Sequence, residues 1–290
     1  MGRVGSIVGV VVLACSLLLA SGVWVSASAN AAVSVSSNWA GYVAVPSVSV
    51  GSRFSSVSGS WTQPSATCSA GEETYSAVWV GLGGSRKNAR SLEQIGTGAD
   101  CTRSGSAHYS AWYELLPAGP VNLTLKVHPG DQMSASVTVR AHEVTLRIRD
   151  LSTGARFSRT QRVSKFDVSS AEWIVEAPSV CSSTSFCATL SLTNFGTVAF
   201  SSATATAHGH TGAVEDPDWS ATTLELRQNA GATAPGPAAA RNQFARALTV
   251  ATPSSASGSD GSFAVTWNEQ RIQTEQPSVP TLPGFNGGPP

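Results

Sequence analysis

Short runs of β-branched and aromatic residues, cut apart by Gly, Ser, Pro and Asn, recur along this chain and constrain its fold more than any other feature. They include GYVAVPSV, FSSVSGSWTQP, YSAVWVGLG, AHYSAWYELLP, VNLTLKVHPGDQ, MSASVTVRAHEVTLRIRDLSTG, AEWIVEAP, TVAFSSATATA, TTLELRQ and FAVTW. The 3.6-residue period of an amphipathic helix is almost absent. Strands at this spacing predict an all-β fold, an antiparallel β-sandwich. LRIRDLSTGARFSRT is expected to be a hairpin turning at Ser152-Thr153-Gly154.

The chain starts with one basic residue, Arg3, and an apolar run that ends in small-residue cleavage candidates at Ala27-Ser28-Ala29 and Ala29-Asn30-Ala31. Residues 1–31 are therefore expected to be a secretory signal peptide and the product to be secreted and extracellular. A lipoprotein anchor at Cys15 is the weaker alternative, because the apolar run continues past it. Residues 33–268 are expected to form one sandwich domain, and 269–290 a Pro/Gly-rich disordered tail. Residues 229–243, rich in Ala, Pro and Gly, are expected to form an exposed loop. Beyond the leader no apolar run is long enough to span a bilayer, so no membrane association is expected after cleavage.

Basic and acidic residues number 18 each, and loss of Arg3 leaves 17 against 18. The few Lys and Arg residues are scattered, which speaks against a nucleic-acid partner. Four cysteines follow the leader. Cys181 and Cys187 are close enough to close a short loop, which would leave Cys68 with Cys101. Metal binding by these thiols is the weaker reading, since no CxxC spacing occurs.

AEWIVE, residues 171–176, carries two glutamates on one face of a strand, with Trp173 and Val175 on the other. One face is expected to pack and the other to carry carboxylates. Glu172 and Glu176 are separated by about 13 Å of strand, too far to share a proton or to form a glycosidase pair, so unless a bulge shortens the strand at most one acts on a given bond. Inert surface carboxylates remain an alternative at this stage. So do a sandwich glycosidase using Glu172 and Glu176 and a non-catalytic sugar- or peptide-binding sandwich. No GxSxG elbow is present, and His208 and His210 have no evident partners for serine-hydrolase or metal chemistry.

SSNWAGYV, AVWVGLGG, LEQIGTGAD, YSAWYELLP, GDQMSASVT, AEWIVE and NFGTVAFSSATAT, taken in this order, resemble the glutamic peptidases, or eqolisins, from about Ser36 to Trp267. The resemblance implies a jelly-roll-like, concanavalin-like sandwich with a substrate groove across one sheet. It further implies an endopeptidase whose catalytic pair is Glu176 and Gln94, with Trp39, Trp79 and Glu114 near the groove and Glu172 as a same-face neighbour bearing on substrate. Such an enzyme needs polypeptide substrates and no cofactor or metal, and is expected to act as a monomer at acidic pH, with activity rising as pH falls from neutral. In the implied mechanism Glu176 takes a proton from the attacking water and Gln94 stabilises the oxyanion. The chain departs from the family pattern at Gly83 and Ser110, where aspartates are usual, and has two extra residues between Gln94 and Asp100. The loops at 85–91 and 229–243 are expected to set specificity.

Overall fold

In the computed structural model, residues 32–47, 53–86, 89–183, 186–229 and 247–269 are described, and among them there is no helix. The expected leader, almost all of the 229–243 loop, the tail beyond 269, and residues 87 and 88 of the 85–91 loop lie outside them. A single 16-stranded sheet is folded over on itself. One half runs β10 (Arg156–Arg162), β9 (Glu143–Asp150), β8 (Gln132–Arg140), β3 (Phe54–Thr62) and β14 (Thr197–Ala207). It turns through β18 (Phe263–Trp267), β17 (Ala247–Pro253) and β16 (Trp219–Asn229). The other half runs β2 (Trp39–Pro46), β11 (Ala171–Glu176), β4 (Ala77–Gly83), β5 (Leu92–Cys101), β6 (Ala107–Leu115) and the short β7 (Val121–Asn122). β1 (Ala32–Ser36) lies parallel against β16, while β15 (His210–Ala213) pairs with β14. β12 (Ser179–Ser183) and β13 (Phe186–Thr189) form a separate hairpin.

The two halves pack face to face, with β4, β5 and β11 over β3, β8 and β9, so the expected antiparallel β-sandwich is what forms. Alternation explains the layer. In β8 the residues Met133, Ala135, Val137 and Val139 are buried, and the polar residues between them are not. Two indoles close their own polar ends across the interior: Trp61 Nε1 donates to Thr97 Oγ1 at 3.0 Å and Trp173 Nε1 to the Ser58 carbonyl at 2.7 Å. A buried indole N–H without such an acceptor would cost stability. The 152–154 hairpin turn is as expected, with Arg149 opposite Arg156 and Gly154 at φ 79°.

Two segments differ from expectation. VNLTLKVHPGDQ is strand only at Val121–Asn122 and at its last residue, Gln132, where β8 begins. Its remaining apolar residues still reach the core from irregular backbone, Val127 among them, because β7 pairs with β6 only at Trp112 and Tyr113. The glycines of LEQIGTGADC, whose spacing in the sequence suggests a turn, lie inside the continuous ten-residue β5. A Cβ on Gly96 would lie 2.2 Å from the Val78 carbonyl oxygen and 2.6 Å from Trp79 Cβ, so glycine here answers close approach rather than chain reversal.

A Cys68–Cys101 disulfide forms as expected and ties the end of β5 to the connection between β3 and β4. Cys187 is also disulfide-bonded, and the β12–β13 ladder sets Cys181 opposite it; the Cys181 side chain lies outside the described residues.

Candidate active site

Both faces of β11 are buried, which corrects the expectation of one packed and one carboxylate-bearing face. Trp173 and Val175 enter the main core, while Ile174 packs with Val43, Ala77, Trp79 and Leu92 in a second apolar cluster on the outer side. Glu176 ends the strand at the rim of that cluster and lines a groove of about 300 Å³. Gln94, Glu114, Trp112, Tyr75, Asp100 and Ser110 line the same groove.

Neutral donors hold the Glu176 carboxylate. Trp79 Nε1 donates to Oε2 at 2.8 Å and Asn38 Nδ2 to Oε1 at 3.1 Å. The buried Trp39 Nε1 lies near enough to favour the ionised carboxylate but makes no hydrogen bond to it. Burial outweighs these donors, and the nearby Glu114 adds to it, so the carboxyl is pushed up to about 7.

Register sets Glu176 level with Ala77 and Gly98, and Gln94 level with Gly81 and Glu114, so the groove crosses the strands diagonally. The Trp79 indole spans that diagonal. Its Nε1 holds Glu176, and its Cζ3 would lie 2.9 Å from a Cβ on Gly81, where Gln94 Cβ would lie 3.2 Å away. Trp39 meets Trp79 edge to face at 5.1 Å. Both tryptophans thus act on Glu176 from behind the groove, with Trp79 fully buried.

Gln94 Nε2 donates to Glu114 Oε2 at 2.6 Å, while Gln94 Oε1 is buried without a hydrogen-bond partner among the described residues. Burial raises the Glu114 carboxyl, and the Gln94 amide partly offsets this. Asp100 is likewise raised by burial, against the Ser76 N–H that it accepts at 3.2 Å.

Glu172 is not in the groove, contrary to a role in contacting substrate. It is fully buried, neither carboxylate oxygen has a hydrogen-bond partner among the described residues, and burial holds it well above the usual carboxylate range. Asp167 and Glu93 raise it further; Glu93 itself is pushed up to about 8, chiefly by burial. Asp167 also explains the missing aspartate at 83. A Cβ on Gly83 would lie 2.4 Å from Asp167 Cβ, and Asp167 Oδ2 accepts the Gly84 N–H at 3.4 Å. A carboxylate from the segment before β11 therefore reaches the end of β4 through space. Sequence reasoning missed Asn38 and Asp167, whose contacts join segments remote in sequence.

A second depression, about 450 Å³, lies against β3, β14 and β18 and has no titratable residue in its lining, so chemistry is assigned to the smaller groove. His210 Nε2 pairs with Asp216 Oδ2 at 3.0 Å, with Asp218 beyond at 3.8 Å. This exposed cluster belongs to the β15 turn.

Residues 37–235 match the model of the Peptidase A4 family. The chain belongs to that family, the glutamic peptidases. It is a peptide-bond hydrolase. The peptidase is 29% identical to aspergillopepsin-2 of Aspergillus niger over 218 residues, 67% of this chain and 71% of that protein. Its fold resembles that of scytalido-glutamic peptidase solved with a peptide-based transition-state analogue, with TM-score 0.62 and 23% identity over 81% of this chain and all of the other. SCP-B, an eqolisin solved with the tripeptide Ala-Ile-His, gives TM-score 0.58 and 22% identity over 81% of this chain and all of the other. Aspergilloglutamic peptidase from Aspergillus niger gives TM-score 0.51 and 23% identity over 67% of this chain and 99% of that one.

Proposed function

We propose that this peptidase is a secreted, monomeric endopeptidase that cuts polypeptides at acidic pH, with Glu176 and Gln94 as its catalytic pair. The observation that carries this reading is a carboxyl held by Trp79 and Asn38 in a groove shared with Gln94. Gln94 has a second amide hydrogen beyond the one given to Glu114, and a carbonyl oxygen without a partner among the described residues. The first can stabilise negative charge on the substrate oxygen, and the second can hold a water.

With its proton held up to about 7, Glu176 enters the cycle as a carboxylic acid below neutrality. One oxygen accepts a proton from water as the water oxygen bonds to the scissile carbon, and the other gives its proton to the carbonyl oxygen. The resulting gem-diol collapses as one hydroxyl proton passes to Glu176 and the leaving nitrogen takes the proton of Glu176. The C–N bond breaks and the acid is regenerated. Activity is therefore full below about 7 and falls as pH rises through it. A Glu176 that acted only as an ionised base would give the opposite limb.

The paired-carboxylate glycosidase reading loses its second partner, since Glu172 is buried outside the groove lining. Casein hydrolysis between about pH 2 and 8, with Glu176→Gln and Gln94→Ala folded by circular dichroism, tests the proposal. Acid activity lost in both variants supports it; a fully active Glu176→Gln protein sinks it.

A further inference from the structure

Glu176 ends β11, and the segment that fixes that end comes from the start of the domain, 138 residues earlier. We infer that Asn38 is a positioning residue for Glu176, and that the Ser36 hydroxyl sets which way the Asn38 amide faces. The inference rests on Glu176 as the reacting carboxyl.

Asn38 lies between β1 and β2 and grips β11 at two points. Its Nδ2 donates to Glu176 Oε1 at 3.1 Å, and its backbone carbonyl accepts the Ala177 N–H at 2.8 Å. An asparagine amide has nearly the same shape either way round, so something must choose which end meets the carboxylate. Ser36 Oγ makes that choice. It accepts the backbone N–H groups of Trp39 at 3.1 Å and Asn38 at 3.3 Å, which engages its lone pairs and leaves its hydrogen for Asn38 Oδ1 at 3.2 Å. The amide nitrogen is then the end that faces Glu176. A flipped amide would set an oxygen against the carboxylate.

With Trp79 on Oε2 and Asn38 on Oε1, each carboxyl oxygen receives one N–H. A carboxylate oxygen has two lone-pair directions, so each keeps one for proton exchange with water and substrate. Losing Asn38 frees one oxygen and lets the carboxyl turn about its bond. It also removes a donor that favours the ionised form, which raises the pH at which the proton leaves. The ionisable group acting on Glu176 from β6, which lies beyond β4 and β5 in the same half of the sheet, is Glu114, with Asp100 of β5 elsewhere in the groove lining; Asn38 and Trp39, from the β1–β2 side, are neutral.

The test follows kcat and KM against pH on an internally quenched peptide that the wild type cleaves, for Asn38→Ala, Asn38→Asp, Ser36→Ala, Ser36→Thr and Glu176→Gln. Asn38→Ala is expected to lose roughly 3- to 10-fold in kcat, the scale of one hydrogen bond to a neutral carboxyl, with KM little changed. Its alkaline limb should move to higher pH, and Asn38→Asp should move it further by adding a like charge. Ser36→Ala should shift kcat and limb in the same directions by less, and Ser36→Thr, which keeps the hydroxyl, should restore both. A lowered kcat with an unmoved limb, or a Ser36→Thr protein no better than Ser36→Ala, overturns the inference. If Asn38→Ala fails to fold, the Ser36 pair decides alone. A Glu176→Gln enzyme that still cleaves would refute the reading of Glu176 itself. An inactive Glu176→Gln beside an unchanged Asn38→Ala would refute only the role given to Asn38.

Discussion

The Gln94 amide donates to Glu114 at 2.6 Å across adjacent strands, and no hydrogen bond joins Gln94 to Glu176. The two proposed catalytic groups are thus oriented by different partners: Glu114 for one, Trp79 and Asn38 for the other.

If Glu114 fixes which face of the Gln94 amide meets the substrate, Glu114→Ala should lower kcat by roughly 3- to 10-fold, the scale of a hydrogen bond to a carboxyl that burial keeps protonated in acid. Glu114→Gln keeps an acceptor oxygen and should cost less. Steady-state kinetics on the same peptide at about pH 4 compares them, and equal losses would count against an orienting role.

Trp79 works through both ends of its ring. Trp79→Phe keeps most of the packing between Gly81 and Gly96 but deletes the N–H that reaches Glu176 at 2.8 Å. The expected result is a near-normal thermal midpoint, a loss of roughly 10-fold or more in kcat, and an alkaline limb moved upward. Gly96→Ala should instead destabilise the fold, by about 1–3 kcal/mol or more, because its methyl would meet the Val78 carbonyl oxygen at 2.2 Å. Urea unfolding separates the two effects.

Alternation was readable where each strand has one wet and one dry face, as in MSASVTVR, and those strands fall where the pattern put them. AEWIVE misled because a second apolar cluster covers its outer face, a tertiary fact with no trace in the local period. Gly96 read as a turn because local propensity does not register that Trp79 lies across it. The family motifs singled out Glu176 and Gln94, and the structure puts both in one groove lining. Asn38 and Asp167 were illegible for a simpler reason: their partners lie 138 and 83 residues away.

The Cys68–Cys101 bridge closes a loop with a sequence separation of 33 and anchors the end of the strand that carries Gln94. Loss of that constraint through Cys68→Ser with Cys101→Ser should cost about 3–4 kcal/mol, on the chain-entropy view. The drop should appear in denaturant midpoints. Loss of activity at temperatures where the variant remains folded would mean that the bridge also positions β5 within the native state.

Stability itself should be acid-favoured. A carboxyl that holds its proton more tightly folded than unfolded couples folding to proton uptake, so its contribution is full below the ordinary range near 4.5 and is lost as pH rises through the folded value. Glu176 does this at about 7 and Glu93 at about 8. Glu172, whose oxygens are both buried and unpartnered among the described residues, must discharge in the same direction. Asp260, held low by the Ser262 hydroxyl, runs the other way and weakens the fold only at strongly acid pH. The thermal midpoint should therefore fall as pH is raised from about 5 to 9. Glu172→Gln cannot ionise, so its midpoint should fall less steeply over that range even if it starts lower. A wild-type midpoint that is flat or climbs towards pH 9 would show that the Glu93, Asp167 and Glu172 cluster is relieved in solution by a counter-charge.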